Sequence, residues 1–217
     1  MKGGPRPAVA HPLGGYAMFA QVIHGPVTDA SALQALGERW VAELSPGATG
    51  WLGSTSGVTA DGIFVVFAWF ESAEAARSNS DRPEQGEWWA EAEKCFSAEP
   101  TFGDYDGVIV VRGGGAAEAG FVQVMLGRTS NPGRERELSE LFAQQDPGLR
   151  ADILGGLVGI SDEGHFAQAF YFSSEAEARE GEKQPMPAEF AESFAEEQQL
   201  TTEMRFLDLT EPKTYLA

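Results

Sequence analysis

The sequence predicts an α+β fold built from two copies of one β-α-β-β-α-β unit, and three observations predict it. The stretch "LGSTSGVTADGIFVVFAWFES", residues 52–72, returns 102 positions later as "LGGLVGISDEGHFAQAFYFSS", residues 154–174. Holding that offset from residue 19 to residue 88 gives 17 identities in 70 positions without a gap, against roughly one in fifteen from composition alone. Strand and helix signals then follow the same order in both halves.

Each element can be read from its residues. "FAQVIHGPV" and "FVQVMLGRT" are apolar and β-branched enough for a first strand. Asp29 and Asn131 are N-cap residues, and Pro132 fits the first helical position. Leu33, Leu36, Trp40 and Leu44 form a helical stripe, with Leu138, Leu141 and Phe142 as its shorter partner. Two strands follow, joined by turns at Ala60-Asp61-Gly62 and Asp162-Glu163-Gly164. Ser72 and Ser174 cap a second helix, and Ser174 with Glu177 reads as a capping box. Pro83 and Pro185 interrupt that helix, which resumes with Trp88, Trp89, Ala92 and Phe96, or Phe190, Phe194 and Ala195. "YDGVIVV" and "EMRFLDL" supply a last strand.

This is the ferredoxin-like unit, with helices on one face of an antiparallel sheet. The other face needs cover, and a second copy provides it, so tandem ferredoxin-like repeats are expected to close into an intrachain α+β barrel. The boundaries expected are a flexible lead over 1–17, a first repeat over 18–111, a linker over 112–119 ("RGGGAAEA"), a second repeat over 120–210 and a tail over 211–217. Met18 reads as an alternative start.

Composition narrows the function classes. A net charge of −18 disfavours nucleic acid as a partner, because phosphate binding needs clustered Lys and Arg. With 14 Phe and 5 Trp the chain can bury a full core. The single Cys95 excludes an intrachain disulfide and fits a reducing cytoplasm. No apolar run is long enough for a membrane span, so no membrane partner is expected, and the protein is read as a monomer or homodimer.

The architecture and one short pattern resemble the dimeric α+β barrel superfamily, in particular the antibiotic-biosynthesis-monooxygenase-like domains. In those domains the third strand often ends in E-x-W-x-S-x-E-A. "AWFESAEAA" matches it at Ser72, Glu74 and Ala75, with Phe70 in place of the Trp and Ala68 in place of the acid. The second copy keeps Phe172 and Ser174. The resemblance implies either a small-molecule binder or a cofactor-independent monooxygenase acting on an aromatic or phenolic substrate. Haem-degrading members of the group rely on a polar first-strand residue, a third-strand Trp and a helix His. This chain has Gln21, Phe70 and no His there, so no haem or other cofactor is expected.

The candidate ligand residues are Gln21, His24, Phe70, Asn79, Trp88, Gln123 and Gln168. Gln21 and Gln123 are read as pointing into the space between the sheets, with Ala20, Val22, Val122 and Val124 turned to the helices. Gln168 is placed in the same barrel-facing register as Phe166, Phe170 and Phe172. As amides these three either orient a ligand carbonyl or hydroxyl or simply satisfy one another and the backbone. His24, whose repeat mate is Leu126, is the candidate acid or base, or else a rim histidine. Phe70, Trp88 and Trp89 read as an aromatic wall or as core. Because copy two has Leu126, Gly181, Phe190 and Ala191 opposite His24, Asn79, Trp88 and Trp89, any pocket is expected in copy one. No His, Cys, Asp and Glu spacing matches a metal site. A fully packed barrel with a structural or interaction role is the remaining reading.

Overall fold

The computed structural model describes residues 18–144 and 150–217; the lead over 1–17 lies outside them. Copy one runs β1 (Phe19–Pro26), α1 (Ala30–Arg39, continued by one π-helical turn, Trp40–Leu44), β2 (Trp51–Val58), β3 (Ile63–Phe70), α2 (Ala73–Ser80), α3 (Pro83–Ala92) and β4 (Thr101–Asp106). After β5 (Ile109–Val111), copy two runs β6 (Phe121–Thr129), α4 (Pro132–Ala143), β7 (Ile153–Ile160), β8 (His165–Phe172), α5 (Glu175–Glu182), α6 (Ala191–Leu200) and β9 (Thr201–Leu209). β10 (Lys213–Leu216) closes the chain.

The caps form where the sequence places them. Asp29 accepts from the Ala32 amide at 2.9 Å and Asn131 from the Arg134 amide at 3.1 Å. Ser72 and Ser174 accept from the Ala75 and Glu177 amides. The Glu177 carboxylate accepts from the Ser173 hydroxyl, so the expected reciprocal capping box is only half made. Gly62 and Gly164, at φ 80° and 82°, turn the two hairpins in the left-handed region where a side chain is disfavoured.

The strands form two five-stranded antiparallel sheets, ordered β10-β2-β3-β1-β4 and β5-β7-β8-β6-β9. Each copy therefore gives its last strand to the other's sheet. β5 leaves copy one to pair with β7, and β10 returns from copy two to pair with β2. The segment 211–217, expected as a tail, is an edge strand, and "YDGVIVV" is split between β4 and β5 in different sheets. Both exchanges cover a sheet edge that would otherwise expose unpaired amides.

The sheets face each other across one apolar layer. Val22, Phe67, Trp69, Val124, Tyr171 and Leu209 belong to it. Gly57 and Gly159, 102 apart, allow the approach: a Cβ at Gly159 would sit 2.5 Å from the Tyr105 Cβ, and one at Gly57 would sit 3.2 Å from Leu209. The Tyr171 hydroxyl bonds Thr55 across the layer at 2.7 Å, and Thr55 bonds Thr214 on β10 at 2.9 Å. The segment expected as a flexible linker joins this core, with Ala116 buried and Gly115 against Trp69.

Two expectations are overturned here. The space between the sheets is filled by Ala20, Val22, Val122 and Val124, so Gln21, Gln123 and Gln168 turn toward the helices instead. Alternation along a strand divides residues between two faces, but both faces of these sheets are buried, so parity alone does not tell which lies under helices. The constant offset also fails beyond the proline break. Thr28 donates to the Cys95 carbonyl, whereas Ser130 donates to that of Leu200. Val27 bridges Phe96, whereas Thr129 pairs with Thr201. The offset there is 105, so Trp89 corresponds to Phe194 and Ala92 to Glu197, not to Ala191 and Phe194.

Candidate functional site

The three extra residues reshape the helix side of copy two. In copy one α3 starts at Pro83, directly after α2. In copy two no helix forms between Glu182 and Ala191, and Pro185 and Pro187 account for it by removing amide donors. A cavity of about 940 Å³ opens between the second sheet and α4, α5, this loop and α6.

Its walls are mostly apolar. Phe166, Phe170 and Phe172 line it from β8, Met125 from β6, Phe206 from β9, Phe142 from α4, Phe194 from α6 and Met186 from the loop. The corresponding volume in copy one is occupied. Trp40 packs edge-on against Trp51 at 5.2 Å and bonds Gln85, and Trp88 donates to the Leu36 carbonyl at 2.8 Å. Trp89 stacks beside Phe96 and Phe102. Thus the pocket lies in copy two, not in copy one as expected, because the tryptophans read as a ligand wall fill the space themselves.

Polar groups enter the cavity at defined points. The Gln123 amide donates to Asp208 at 3.1 Å and to Glu182 at 3.4 Å. Arg179 binds Glu182, Glu175 and Asp208 and lies over the Phe121 ring, so its charge is matched on the spot. Arg150 pairs with Asp152 and lies over Phe172. Gln168 is buried and lines the cavity from the middle of β8.

On the opposite side α4 and α6 carry two carboxyl groups that have no cation among the described residues, Glu197 in the cavity wall and Glu135 buried outside the lining. Glu135 is fully buried, and among the described residues its Oε1 has no hydrogen-bond partner. Its Oε2 receives a long bond of 3.4 Å from the Thr129 hydroxyl. Burial pushes its pKa up to about 7. Glu197 lines the cavity, and burial, then the charge of Glu135, pushes it also up to about 7. Both groups thus exchange protons near neutrality.

Of the residues singled out from the sequence, Gln123 and Gln168 meet in this cavity. The other five are elsewhere. Gln21 donates to Asp104 at 2.9 Å. Phe70 is buried among Trp40, Trp51 and Ala76. Asn79 is buried and accepts from Arg82 at 3.0 Å, and Trp88 packs as described. His24 lines a smaller cleft of about 480 Å³ at the rim between the sheets, with Arg128, Arg205 and Glu203. Burial, then the nearby Arg205 charge, lowers its pKa, so it is neutral at physiological pH. Sequence reasoning missed Glu135 and Glu197. The offset of 102 does set Glu135 against Leu33, a carboxyl opposite a core leucine, and that signal was available. Glu197 was hidden by the change of offset.

Among the described residues no group of three or more His, Cys, Asp or Glu could hold a metal ion, and no helix is long and apolar enough to cross a membrane. No protein family matches the sequence, and no curated protein matches it. Solved structures do. A "putative monooxygenase" from Lactobacillus acidophilus superposes with a TM-score of 0.68 at 12% identity, over 91% of this chain and 96% of that one. Another from Fusobacterium nucleatum gives 0.70 at 9% identity, over 93% and 96%. An "anthrone oxidase-like protein" gives 0.60 at 9% identity, over 92% and 94%. These cover both repeats together, and with the two facing sheets they establish the fold as an α+β barrel made by tandem ferredoxin-like repeats within one chain.

Proposed function

We propose that the copy-two cavity binds a small, largely apolar aromatic molecule carrying a few polar substituents. The observation that carries this reading is the cavity's construction: about 940 Å³ of space walled largely by phenylalanine and methionine, with Gln123, Arg150 and Arg179 held by their own partners. Such a volume holds three fused rings, and pockets of this composition are the usual small-molecule sites. The barrel interior offers no comparable room, because apolar side chains from both sheets fill it. Calorimetric titration with 2-naphthol and 2-methoxynaphthalene, as simple aromatic probes, tests the reading. Ala143→Trp, which fills the cavity from α4, should weaken binding at least tenfold. Trp88→Ala, in the filled half, should leave the affinity of folded protein unchanged. Equal weakening by both, or no binding by the wild type, would overturn it.

A second reading is favoured by Glu197, a carboxyl group of that wall whose pKa burial and the nearby charge of Glu135 raise to about 7. It is a cofactor-independent monooxygenase acting on a phenolic substrate. The full-length likeness to proteins described as monooxygenases and as anthrone oxidase-like agrees with it. In such a reaction dioxygen meets an electron-rich, deprotonated ring, one oxygen atom enters the product and the other leaves as water. Turnover of hydroxylated anthrones under ¹⁸O₂ tests it: one labelled atom per product, undiminished by a metal chelator, is expected. Oxidation no faster than in buffer would remove this reading while leaving ligand binding intact.

A further inference from the structure

We propose that Glu197, backed by Glu135, is the proton acceptor of the copy-two cavity, and that the ligand meets it with a phenolic or enolic hydroxyl. This rests on the cavity being a ligand site and adds which group does chemistry there and what the ligand must carry.

The two repeats supply the comparison. At the positions of Glu135 and Glu197, copy one has Leu33 and Ala92, which lie together in one buried apolar cluster. The fold therefore builds well with hydrocarbon at both places. Two carboxyl groups there cost stability, since a buried carboxyl without full hydrogen bonding loses several kcal/mol of hydration. Among the described residues neither is held by a cation. Arg134, beside Glu135 on α4, is taken by Glu196 and Glu137 at 2.7 and 2.8 Å. Arg150 pairs with Asp152, Arg179 with Asp208, Glu182 and Glu175, and Arg112 donates to the Arg150 and Ile153 carbonyls. The Thr129 hydroxyl donates to the Glu135 carboxylate, and the Thr201 hydroxyl donates to the Glu197 backbone carbonyl. Among the described residues a salt-bridge role is therefore absent, and the two carboxyl groups influence each other through charge.

Among the described residues no donor is bonded to the Glu197 carboxylate, which faces the largely apolar cavity. A hydroxylated aromatic supplies one, and the phenolic proton then moves onto a Glu197 carboxylate oxygen while the electron pair stays on the ligand oxygen. No oxidant is consumed, and the net charge of pair and ligand together is unchanged. One buried negative charge moves and none is created, which avoids a new desolvation penalty. Glu135 contributes by keeping Glu197 basic enough to accept near neutral pH, so it is a positioning residue rather than a catalytic one.

The test uses 2-naphthol, which stays neutral in water across the range, and its methyl ether, which cannot donate. As pH rises from about 5.5 to about 8, Glu197 ionises, and 2-naphthol should bind about tenfold tighter, the worth of a charge-assisted hydrogen bond. 2-Methoxynaphthalene should bind no better or more weakly, because it buries the carboxylate without a donor. Glu197→Gln should abolish the pH dependence for 2-naphthol. Glu135→Leu, which installs the copy-one residue, should move its midpoint to lower pH by about one unit. Circular dichroism confirms folding of each variant. A naphthol affinity that is flat with pH, or a slope that survives in Glu197→Gln, overturns the proton-acceptor role while leaving the cavity reading standing. Binding of neither probe overturns both.

Discussion

The helix sides of the two sheets are the same architecture put to different uses. In copy one the space under the helices is a solid layer of tryptophan rings, with Trp40 and Trp88 tied by hydrogen bonds through their indole nitrogens. In copy two it is hollow, bordered by Pro185 and Pro187 and lined by Glu197. A duplicated domain has to keep only the packing that holds the barrel shut. That shared packing is the layer between the sheets, to which both copies contribute side chains and each lends a strand. The outer layers are then free to diverge, and one became a buttress while the other opened. The lesson is that a conspicuous aromatic cluster marks the closed half: large rings fill volume, and a pocket appears where they were replaced by shorter chains and a broken helix.

The comparison can be broken at several points. The largest effect is expected from Trp40→Ala, which empties a tightly packed site and strands the Gln85 carbonyl. It should cost about 3–5 kcal/mol in denaturant unfolding. Phe142→Ala, its copy-two counterpart, borders open space and should cost about 1–2 kcal/mol while weakening aromatic probes. Equal costs would mean that copy two is as well filled as copy one.

Next comes the pH dependence of stability. Glu135 and Glu197 have folded pKa values of about 7, raised above the ordinary 4.5. The folded state therefore binds more protons than the unfolded one between those values, and stability should fall as pH rises through that window. Glu135, being fully buried, is expected to account for up to about 3 kcal/mol of it, at about 1.4 kcal/mol per pKa unit. Glu135→Leu should flatten the slope and raise stability at neutral pH by about 1–3 kcal/mol. Chemical unfolding at about pH 5 and pH 8 measures both, and a variant less stable than the wild type at neutral pH would show that the carboxyl has partners that hold it.

A smaller effect tests the shared layer. Tyr171→Phe removes the hydroxyl that bonds Thr55 across the sheets and should cost about 1 kcal/mol, since Thr55 keeps Thr214. The smallest is on the surface of the buttress. Arg39→Ala breaks an exposed pair with Glu91 and should change stability by less than about 0.5 kcal/mol. A larger loss there would make the copy-one helices depend on charge as well as on ring packing.

The repeat, the element order and the caps were legible because each rests on local physics: a glycine where φ must be positive, an Asp or Asn where an amide needs an acceptor, apolar residues at strand or helix spacing. Gln123 and Gln168 were legible as buried amides on neighbouring strands, though on the wrong side of the sheet. The burial of Glu135 was encoded in its opposition to Leu33. Nothing local distinguishes it from the many solvated glutamates of this acidic chain, and only the stripe formed with Leu138 hinted at it.

The sequence by itself determined that this chain is a duplicated α+β unit able to cover its own sheet, because an ungapped repeat with matching caps and turns admits little else. The tertiary structure decided what long-range packing governs. It set which face of each sheet lies under helices, because both faces are buried and alternation is symmetric between them. It set the exchange of β5 and β10, because edge pairing depends on which open edge lies near. It also set the pocket in copy two, because three extra residues and two prolines precede α6, leave a loop where copy one has helix, and put Glu197 at the place of Ala92. A cavity is a property of what fails to fill a volume, and that volume exists only once both sheets and all six helices are in place.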